Sequence, residues 1–145
     1  MIKILFVCAG NTCRSPMAEV ILRQKGKDKG VELEVSSAGE YADDGKEMNE
    51  KSKFALKLSG YSGFEDFRSK RATFDVKKDG GTLIYMEKFE AFRNKHWHAK
   101  SMSLYSDGQD VLDPYGMSQD EYIKTCKQIE NACDKIIELI QKGEF

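Results

Sequence analysis

The first predicted strand is the feature that most constrains the fold of this chain. Residues 2–7 ("IKILFV") are almost continuously apolar, as in a strand that is buried on both faces. Residues 15–29 follow after a short loop and carry apolar side chains at helical spacing. A doubly buried strand that leads into such a helix predicts a β-α unit, because a sheet covered on both faces buries a strand of this kind.

Two further strand-helix units follow along the chain. Residues 31–39 ("VELEVSSAG") alternate apolar and polar side chains, which predicts a more exposed second strand. Residues 47–60 predict a helix that ends at Gly60. A third strand is predicted at residues 82–86, and its helix at residues 87–97.

The last third of the chain completes the pattern. A fourth strand is predicted at residues 101–106, and a long amphipathic helix at residues 118–142, with Ser118 as its N-cap. Between residues 61 and 81 the pattern is too weak to predict an element. The alternation predicts an α/β fold of three layers, in which a four-stranded parallel sheet lies between helices on both faces.

Composition limits the class of protein. The 145 residues are 40% apolar, which fits a single domain over residues 1–145. Too few residues precede Cys8 to form a signal-peptide core, and no apolar run approaches a membrane span, so we expect a cytoplasmic protein. The net charge of -1 gives no reason to expect a nucleic acid or a membrane as partner.

The cysteines and histidines predict neither a disulfide framework nor a metal centre. Thiols in the cytoplasm are normally kept reduced, and the spacings of the four cysteines match no common zinc pattern. His96 and His98 are the only histidines, and we assign them no catalytic or metal-binding role. We therefore expect no metal and no other cofactor.

The loop between the first strand and the first helix, residues 8–15 ("CAGNTCRS"), predicts an anion site. Ligands of parallel α/β sheets bind at the carboxyl ends of the strands, and a loop that enters a helix presents free backbone N–H groups there. Gly10 and Asn11 both suit the left-handed backbone of such a nest. Walker and dinucleotide-binding sequences are absent. The predicted ligand is phosphate, sulfate or a similar oxyanion.

Cys8 and Arg14 add chemistry to this anion site. A thiol beside free N–H groups and a fixed positive charge exists largely as the thiolate near neutral pH, and a thiolate attacks phosphorus. The planar guanidinium of Arg14 grips two phosphoryl oxygens at once, which a lysine does not. Ser15 either caps the helix or donates a hydrogen bond to the Cys8 thiolate. Each residue alone is commonly structural, but together they predict a site for phosphoryl transfer.

Residues 8–16 ("CAGNTCRSP") closely resemble the signature of the low-molecular-weight protein tyrosine phosphatase family, and residues 110–116 ("DVLDPYG") resemble its second motif. The resemblance covers almost the whole chain. It implies a phosphorylated protein or peptide as substrate and Asp113 as general acid, with Asp110 as the alternative acid. A tyrosine leaving group has a pKa of about 10 and needs a proton donor. The implied phosphate-binding loop consists of Ala9, Gly10, Asn11, Thr12, Cys13 and Ser15.

The same resemblance implies roles for residues around the loop. Asn11, Ser15 and Ser37 are expected to brace the loop from within. Tyr41 and Tyr115 are expected to form aromatic walls around a flat substrate group. Ordinary packing or exposure is the alternative for each of these residues.

Two other parts of the chain carry weaker expectations. By the resemblance, Cys13 protects Cys8 from oxidation through a reversible disulfide, or else it only packs beneath the loop. Residues 68–81 ("RSKRATFDVKKDGG") match the family poorly. Any bracing of the loop that the family draws from this segment is therefore unassigned.

Thr12 bears on the choice of substrate. The resemblance implies a larger aliphatic residue at this place in tyrosine-directed members, and a threonine in the protein-arginine phosphatases of the family. The resemblance also implies that the second motif of those phosphatases continues with a glycine after Asp-Pro-aromatic, which is the position of Gly116 in this chain. Threonine leaves room and a hydroxyl for a guanidinium phosphate, and one pocket residue typically shifts preference by about 1–3 kcal/mol. Phosphotyrosine and phosphoarginine both remain open.

Two functions of other classes are the alternatives. Thioredoxin-coupled arsenate reductases share this loop but need two further cysteines in a mobile segment. Cys126 and Cys133 are the candidates, yet both lie in the apolar stripe of the last helix, about 10 Å apart along a regular axis. A non-catalytic phosphate-binding module, or a phosphocysteine carrier, does not need both Arg14 and Asp113, so these residues favour turnover.

Overall fold

The computed structural model describes residues 1–145 and confirms the α/β fold with one parallel sheet. Its four strands are β1 (Ile2–Cys8), β2 (Leu33–Gly39), β3 (Thr82–Tyr85) and β4 (Lys100–Ser101). They lie side by side in the order β2-β1-β3-β4, with all neighbours parallel. The strand order reverses beside β1, so the carboxyl end of β1 is the switch point at which α/β folds bind ligands.

Helices cover both faces of the sheet, as predicted. One face packs against α1 (Arg14–Asp28), α2 (Glu50–Leu58) and α5 (Gln119–Gln141). The other face packs against α3 (Phe74–Asp79) and α4 (Lys88–Arg93). None of these helices combines the length and the apolar character that a bilayer crossing demands.

The apolar run of β1 divides its side chains between the two faces. Ile4 and Phe6 belong to a core cluster of 24 buried residues under α1 and α5. Leu5 and Val7 belong to a smaller cluster of 7 residues on the opposite face. The central strand is therefore buried on both sides, which fixes the position of the loop that follows it.

The ends of the long helix agree with the sequence prediction. The Ser118 side chain accepts a hydrogen bond from the backbone N–H of Glu121 and caps α5. Of the apolar residues predicted for its stripe, Ile129, Ile136 and Ile137 are buried in the larger core cluster. Strong helical periodicity and a capping residue were sufficient signals for this element.

Two predicted elements differ in the structure. The fourth strand was predicted at residues 101–106, but β4 ends at Ser101 and Met102–Tyr105 form a 3₁₀ turn. Ser101 Oγ accepts a hydrogen bond from Ser103 N at 3.1 Å, and this local bond competes with the sheet. The helix predicted at 87–97 divides into α4 and a 3₁₀ turn at Lys95–Trp97.

Helix α3 lies between residues 61 and 81, where no element was predicted from the sequence. This helix has only 6 residues and none of them is buried, so it lacks the apolar periodicity by which sequence reveals a helix. Thr73 caps it by accepting a hydrogen bond from Val76 N. A short exposed helix of this kind is set by its cap rather than by its hydrophobic pattern.

Candidate active site

The loop that joins β1 to α1 lies at the switch point of the sheet. Cys8 is the last residue of β1, and its side chain is 8% exposed. Asn11 has the left-handed backbone that was predicted, with φ 55°. Gly10 does not, contrary to prediction. A Cβ at Gly10 would meet only Thr12 Oγ1, at 3.7 Å, so no atom of the protein itself demands glycine there.

Gly39, at the end of β2, is the glycine that the loop does require. A Cβ there would lie 2.6 Å from the carbonyl oxygen of Ala9 and 2.8 Å from the amide nitrogen of Asn11. The chain after β2 therefore approaches the loop closely. Tyr41 N donates to the Ala9 carbonyl at 2.9 Å, which places Tyr41 beside the loop.

The Cys8 thiol has two hydrogen-bond partners within the loop. Its Sγ lies 2.8 Å from Ser15 Oγ and accepts from Asn11 N at 3.3 Å. Because α1 begins at Arg14, Ser15 lies inside the first turn and does not cap the helix. The Ser15 hydroxyl also accepts from Asn11 Nδ2 at 2.9 Å, and the sulfur at 2.8 Å is a closer acceptor for its own proton than the Ala38 carbonyl at 3.5 Å.

The side chain of Asn11 joins the loop to three other parts of the fold. Its Nδ2 also donates to Ser37 Oγ at 3.0 Å, and Ser37 in turn donates to Glu19 Oε1 at 2.6 Å. Its Oδ1 accepts from the backbone N–H of Lys70 at 2.9 Å. Asn11 is fully buried and Ser37 is 1% exposed, so these bonds are shielded from water.

Two of these partners were missed by the sequence analysis. Lys70 lies in the segment that matches the family poorly, and it braces the loop through its backbone amide, which leaves no side-chain signal. Glu19 lies on α1, one turn beyond the loop, and its acidic side chain had no visible partner in the sequence. Bracing from residues 68–81 is therefore present, although its side chains do not reveal it.

Arg14 is buried and held in place by acceptors. Its side chain is 3% exposed, and Nη1 donates to Glu87 Oε2 at 3.0 Å and to the Val111 carbonyl at 2.8 Å. Nη2 lies 3.8 Å from Asp113 Oδ2. A buried guanidinium needs such partners because an unpaired charge is costly to desolvate. Neither Glu87 nor Val111 was predicted as a partner: the only signal for Glu87 is an acidic residue shortly after the third strand, and the Val111 carbonyl has no signal.

Cys8, Arg14 and Asp113 line one cavity of about 230 Å³. Thr12 and Tyr115 form its remaining polar and aromatic walls, together with Gly10 and Cys13. Asp113 is 47% exposed, and its Oδ1 accepts a hydrogen bond from Tyr115 N at 3.1 Å. The two sequence motifs, which are about 100 residues apart, thus meet around the thiol.

Tyr41 lines a different cavity from Tyr115. It lines a smaller cavity of about 70 Å³ that also contains Cys8, Arg14 and Glu87. Tyr41 is 65% exposed and Tyr115 is 73% exposed. The two predicted aromatic walls therefore belong to two adjoining cavities that share the thiol and the guanidinium.

Other candidates from the sequence lie outside both cavities. Asp110, the alternative acid, accepts a hydrogen bond at Oδ1 from Lys88 N at 2.9 Å and lines neither cavity. His96 and His98 are exposed and line neither cavity. The structure thus places Asp113 in the same cavity as the thiol and leaves Asp110 outside both cavities.

The other three cysteines are buried. Cys13 is 5% exposed, its Sγ lies 3.5 Å from the hydroxyl of Tyr122, and burial raises its pKa. Cys126 and Cys133 are both fully buried in α5, and burial raises the pKa of Cys126 to about 11. Burial also raises the pKa of Cys133. Thiols of this kind are poor nucleophiles, and the helical pair is not brought to the loop.

The geometry defines a class of protein: a parallel α/β sheet whose first strand ends in a cysteine, with an anion-binding loop and a buried arginine around it. A family model described as low molecular weight phosphotyrosine protein phosphatase matches residues 3–144. The chain belongs to this family. The family is one of cysteine-dependent phosphatases, and membership implies phosphoprotein substrates and oxyanion binding.

Individual relatives divide between two activities. The protein-arginine-phosphatase of Geobacillus stearothermophilus is 33% identical over 96% of this chain and 96% of its own length. The low molecular weight protein-tyrosine-phosphatase YfkJ of Bacillus subtilis is also 33% identical, over 98% of this chain and 97% of its own. A low molecular weight phosphotyrosine phosphatase from Vibrio cholerae O395 superimposes with a TM-score of 0.89, at 25% identity over 100% of both chains.

Proposed function

We propose that this protein hydrolyses phosphotyrosine or phosphoarginine in protein substrates through a phosphocysteine intermediate on Cys8. The observation that carries the proposal is the single cavity shared by Cys8, Arg14 and Asp113. Beside this cavity the buried Ser15 hydroxyl lies 2.8 Å from the Cys8 sulfur, and the Asp113 carboxylate lies 3.8 Å from the Arg14 guanidinium. Nucleophile, anion grip and proton donor are then all within reach of one phosphoryl group.

In the first step the Cys8 thiolate attacks phosphorus and forms an S–P bond. The bond from phosphorus to the tyrosine oxygen, or to the arginine nitrogen, breaks. Asp113 donates its proton to the leaving atom, because a bare phenolate or amide anion leaves poorly. Arg14 and the backbone N–H groups of the loop hold the equatorial phosphoryl oxygens, on which charge is spread in the transition state.

In the second step water attacks the phosphocysteine. The ionised Asp113 carboxylate takes a proton from the water, the S–P bond breaks, and the thiolate and inorganic phosphate are released. The Ser15 hydroxyl donates to the sulfur and stabilises the thiolate as a leaving group. The same carboxylate thus serves as acid in one step and as base in the next.

Hydrolysis of p-nitrophenyl phosphate is the first experiment. We expect turnover by the wild type and none by Cys8→Ser. The matched control is Cys126→Ser, which changes a buried thiol in α5 and should retain turnover. Phosphate binding without turnover in the wild type, or activity retained by Cys8→Ser, contradicts the proposal and favours a binding module. Thioredoxin-dependent arsenate reduction that is lost in Cys126→Ser would instead favour the reductase.

Thr12 supports phosphoarginine as a second candidate substrate. It lines the cavity that holds Cys8 and Asp113, so its side chain faces the site where the leaving group must lie. We expect Thr12→Ile to shift the ratio of kcat/KM for phosphoarginine and phosphotyrosine peptides towards phosphotyrosine by about 10-fold. An unchanged ratio means that Thr12 does not select the substrate.

A further inference from the structure

The segment that carries Asp113 has no helix or strand of its own between residues 106 and 118. Within it, Val111 is fully buried, and its carbonyl accepts the hydrogen bond from Arg14 Nη1 at 2.8 Å. The orientation of Arg14 therefore depends on where this carbonyl points. A segment without regular structure needs other contacts to fix that direction.

The peptide unit that precedes this carbonyl is held at both ends. The Asp110 carbonyl oxygen accepts from Gln128 Nε2 at 3.0 Å, and the Val111 N–H donates to the Met86 carbonyl at 3.0 Å. These two groups belong to the same planar peptide. Gln128 lies on α5 and Met86 directly follows β3, so two fixed elements set the plane of the peptide between them.

Gln128 contacts this peptide at the edge of a surface groove. A groove of about 880 Å³ lies between residues 104–112 and α5, and Gln128 is among the residues that line it. Its Nε2 also donates to Ser106 Oγ at 2.9 Å, so both amide protons are used. The side-chain amide has one possible orientation, because a backbone carbonyl only accepts hydrogen bonds. Val111 packs into the core beneath the segment, and on the side of the groove the hydrogen bonds of Gln128 hold the segment.

We propose that Gln128 is a positioning residue for phosphoryl transfer. It holds the Asp110–Val111 peptide, and through it the Val111 carbonyl that orients Arg14. Asp113 follows two residues later and moves with the same stretch of backbone. The inference rests on the proposed roles of Arg14 and Asp113, and Gln128 itself does not touch the substrate cavity.

The test replaces Gln128 by leucine, which removes both donors at similar size. We expect kcat for phenyl phosphate to fall about 10-fold or more, because small displacements of catalytic groups are costly, with KM changed less than about 2-fold. Vanadate forms a five-coordinate adduct with the thiolate that resembles the transition state, so its inhibition constant should rise about 10-fold. The inhibition constant of phosphate should change less than about 2-fold, since it resembles the product.

Asn131→Leu is the matched control. Asn131 is exposed on α5 and lines the same groove, so its replacement should leave all four constants unchanged. Gln128→Glu is a second variant of the same size that lacks the amide donors, and it covers the case in which Gln128→Leu does not fold. If both Gln128 variants match Asn131→Leu in kcat and in the vanadate-to-phosphate ratio, the proposal is overturned. Lack of turnover by the wild type overturns the proposed function instead, and the ratio of vanadate and phosphate binding then still decides the role of Gln128.

Discussion

The phosphate-binding loop and the acid segment, residues 106–118, face the same thiol but are built differently. In the loop, Asn11, Arg14 and Ser15 are at most 3% exposed, and each has hydrogen-bond partners inside the protein. In the acid segment, Asp113 is 47% exposed and Tyr115 is 73% exposed. The side chains of the loop are therefore part of the buried interior, and those of the acid segment that face the thiol lie at the surface.

This difference separates the two tasks of the site. Groups that hold the phosphoryl oxygens act on a part that every substrate shares, so a rigid buried setting suits them. Groups that meet the leaving atom and the rest of the substrate act on a part that varies. We therefore expect substitutions in the loop to reduce activity on all substrates, and substitutions in the acid segment to act selectively.

The largest effect is expected for Arg14→Lys. Lysine keeps a charge but loses the fork that reaches Glu87, the Val111 carbonyl and the phosphoryl oxygens together. The value of kcat should fall about 100- to 1000-fold, equally for p-nitrophenyl phosphate and phenyl phosphate. Arg68→Lys, at an exposed arginine, is the control and should be unaffected. A loss that differs strongly between the two substrates would contradict a role confined to the phosphoryl group.

Asp113→Asn should show the opposite pattern. Without the proton donor, kcat for phenyl phosphate should fall about 100-fold or more, and for p-nitrophenyl phosphate much less, because nitrophenolate leaves without a proton. Asp110→Asn is the control, since an amide oxygen still accepts the bond from Lys88 N. If Asp110→Asn shows the selective loss instead, Asp110 is the acid.

The contrast between the two regions also marks what the sequence reveals. The doubly buried β1, the helical spacing of α5 and the loop between Cys8 and Arg14 were predictable, because each depends on side-chain type at fixed spacing. The end of β4 and the position of α3 were not. Both depend on local hydrogen bonds of serine and threonine rather than on a hydrophobic pattern.

In the site, the unpredicted partners are mostly backbone groups or distant acids. The amide of Lys70 and the carbonyl of Val111 carry no sequence signal, because every residue has such groups. Glu87 is far from Arg14 in the sequence, and only the folded structure shows that the two side chains form an ion pair. Sequence therefore reveals the side chains that meet at this site better than the contacts that hold them in place.

Asn11→Ala should reduce stability as well as activity. It removes one of the two hydrogen bonds of the buried Ser37 hydroxyl and leaves the Lys70 amide without its side-chain acceptor, and alanine suits the left-handed backbone at φ 55° poorly. The free energy of unfolding in urea should fall by about 1–3 kcal/mol. Asn131→Ala, at an exposed position on α5, should change it by less than about 0.5 kcal/mol. Equal values for the two variants would mean that the buried network adds nothing to stability.

The smallest effect is expected for Tyr115→Ala. The Tyr115 ring is 73% exposed and lines the cavity, so we expect it to contact the substrate equally in the ground state and in the transition state. The KM of a phosphotyrosine peptide should rise about 3-fold with kcat nearly constant, since exposed aromatic pairs contribute about 0.5–1.5 kcal/mol. Tyr41→Ala tests the smaller cavity in the same assay. If Tyr41→Ala raises KM and Tyr115→Ala does not, the substrate ring lies in the smaller cavity, which Glu87 lines and Asp113 does not.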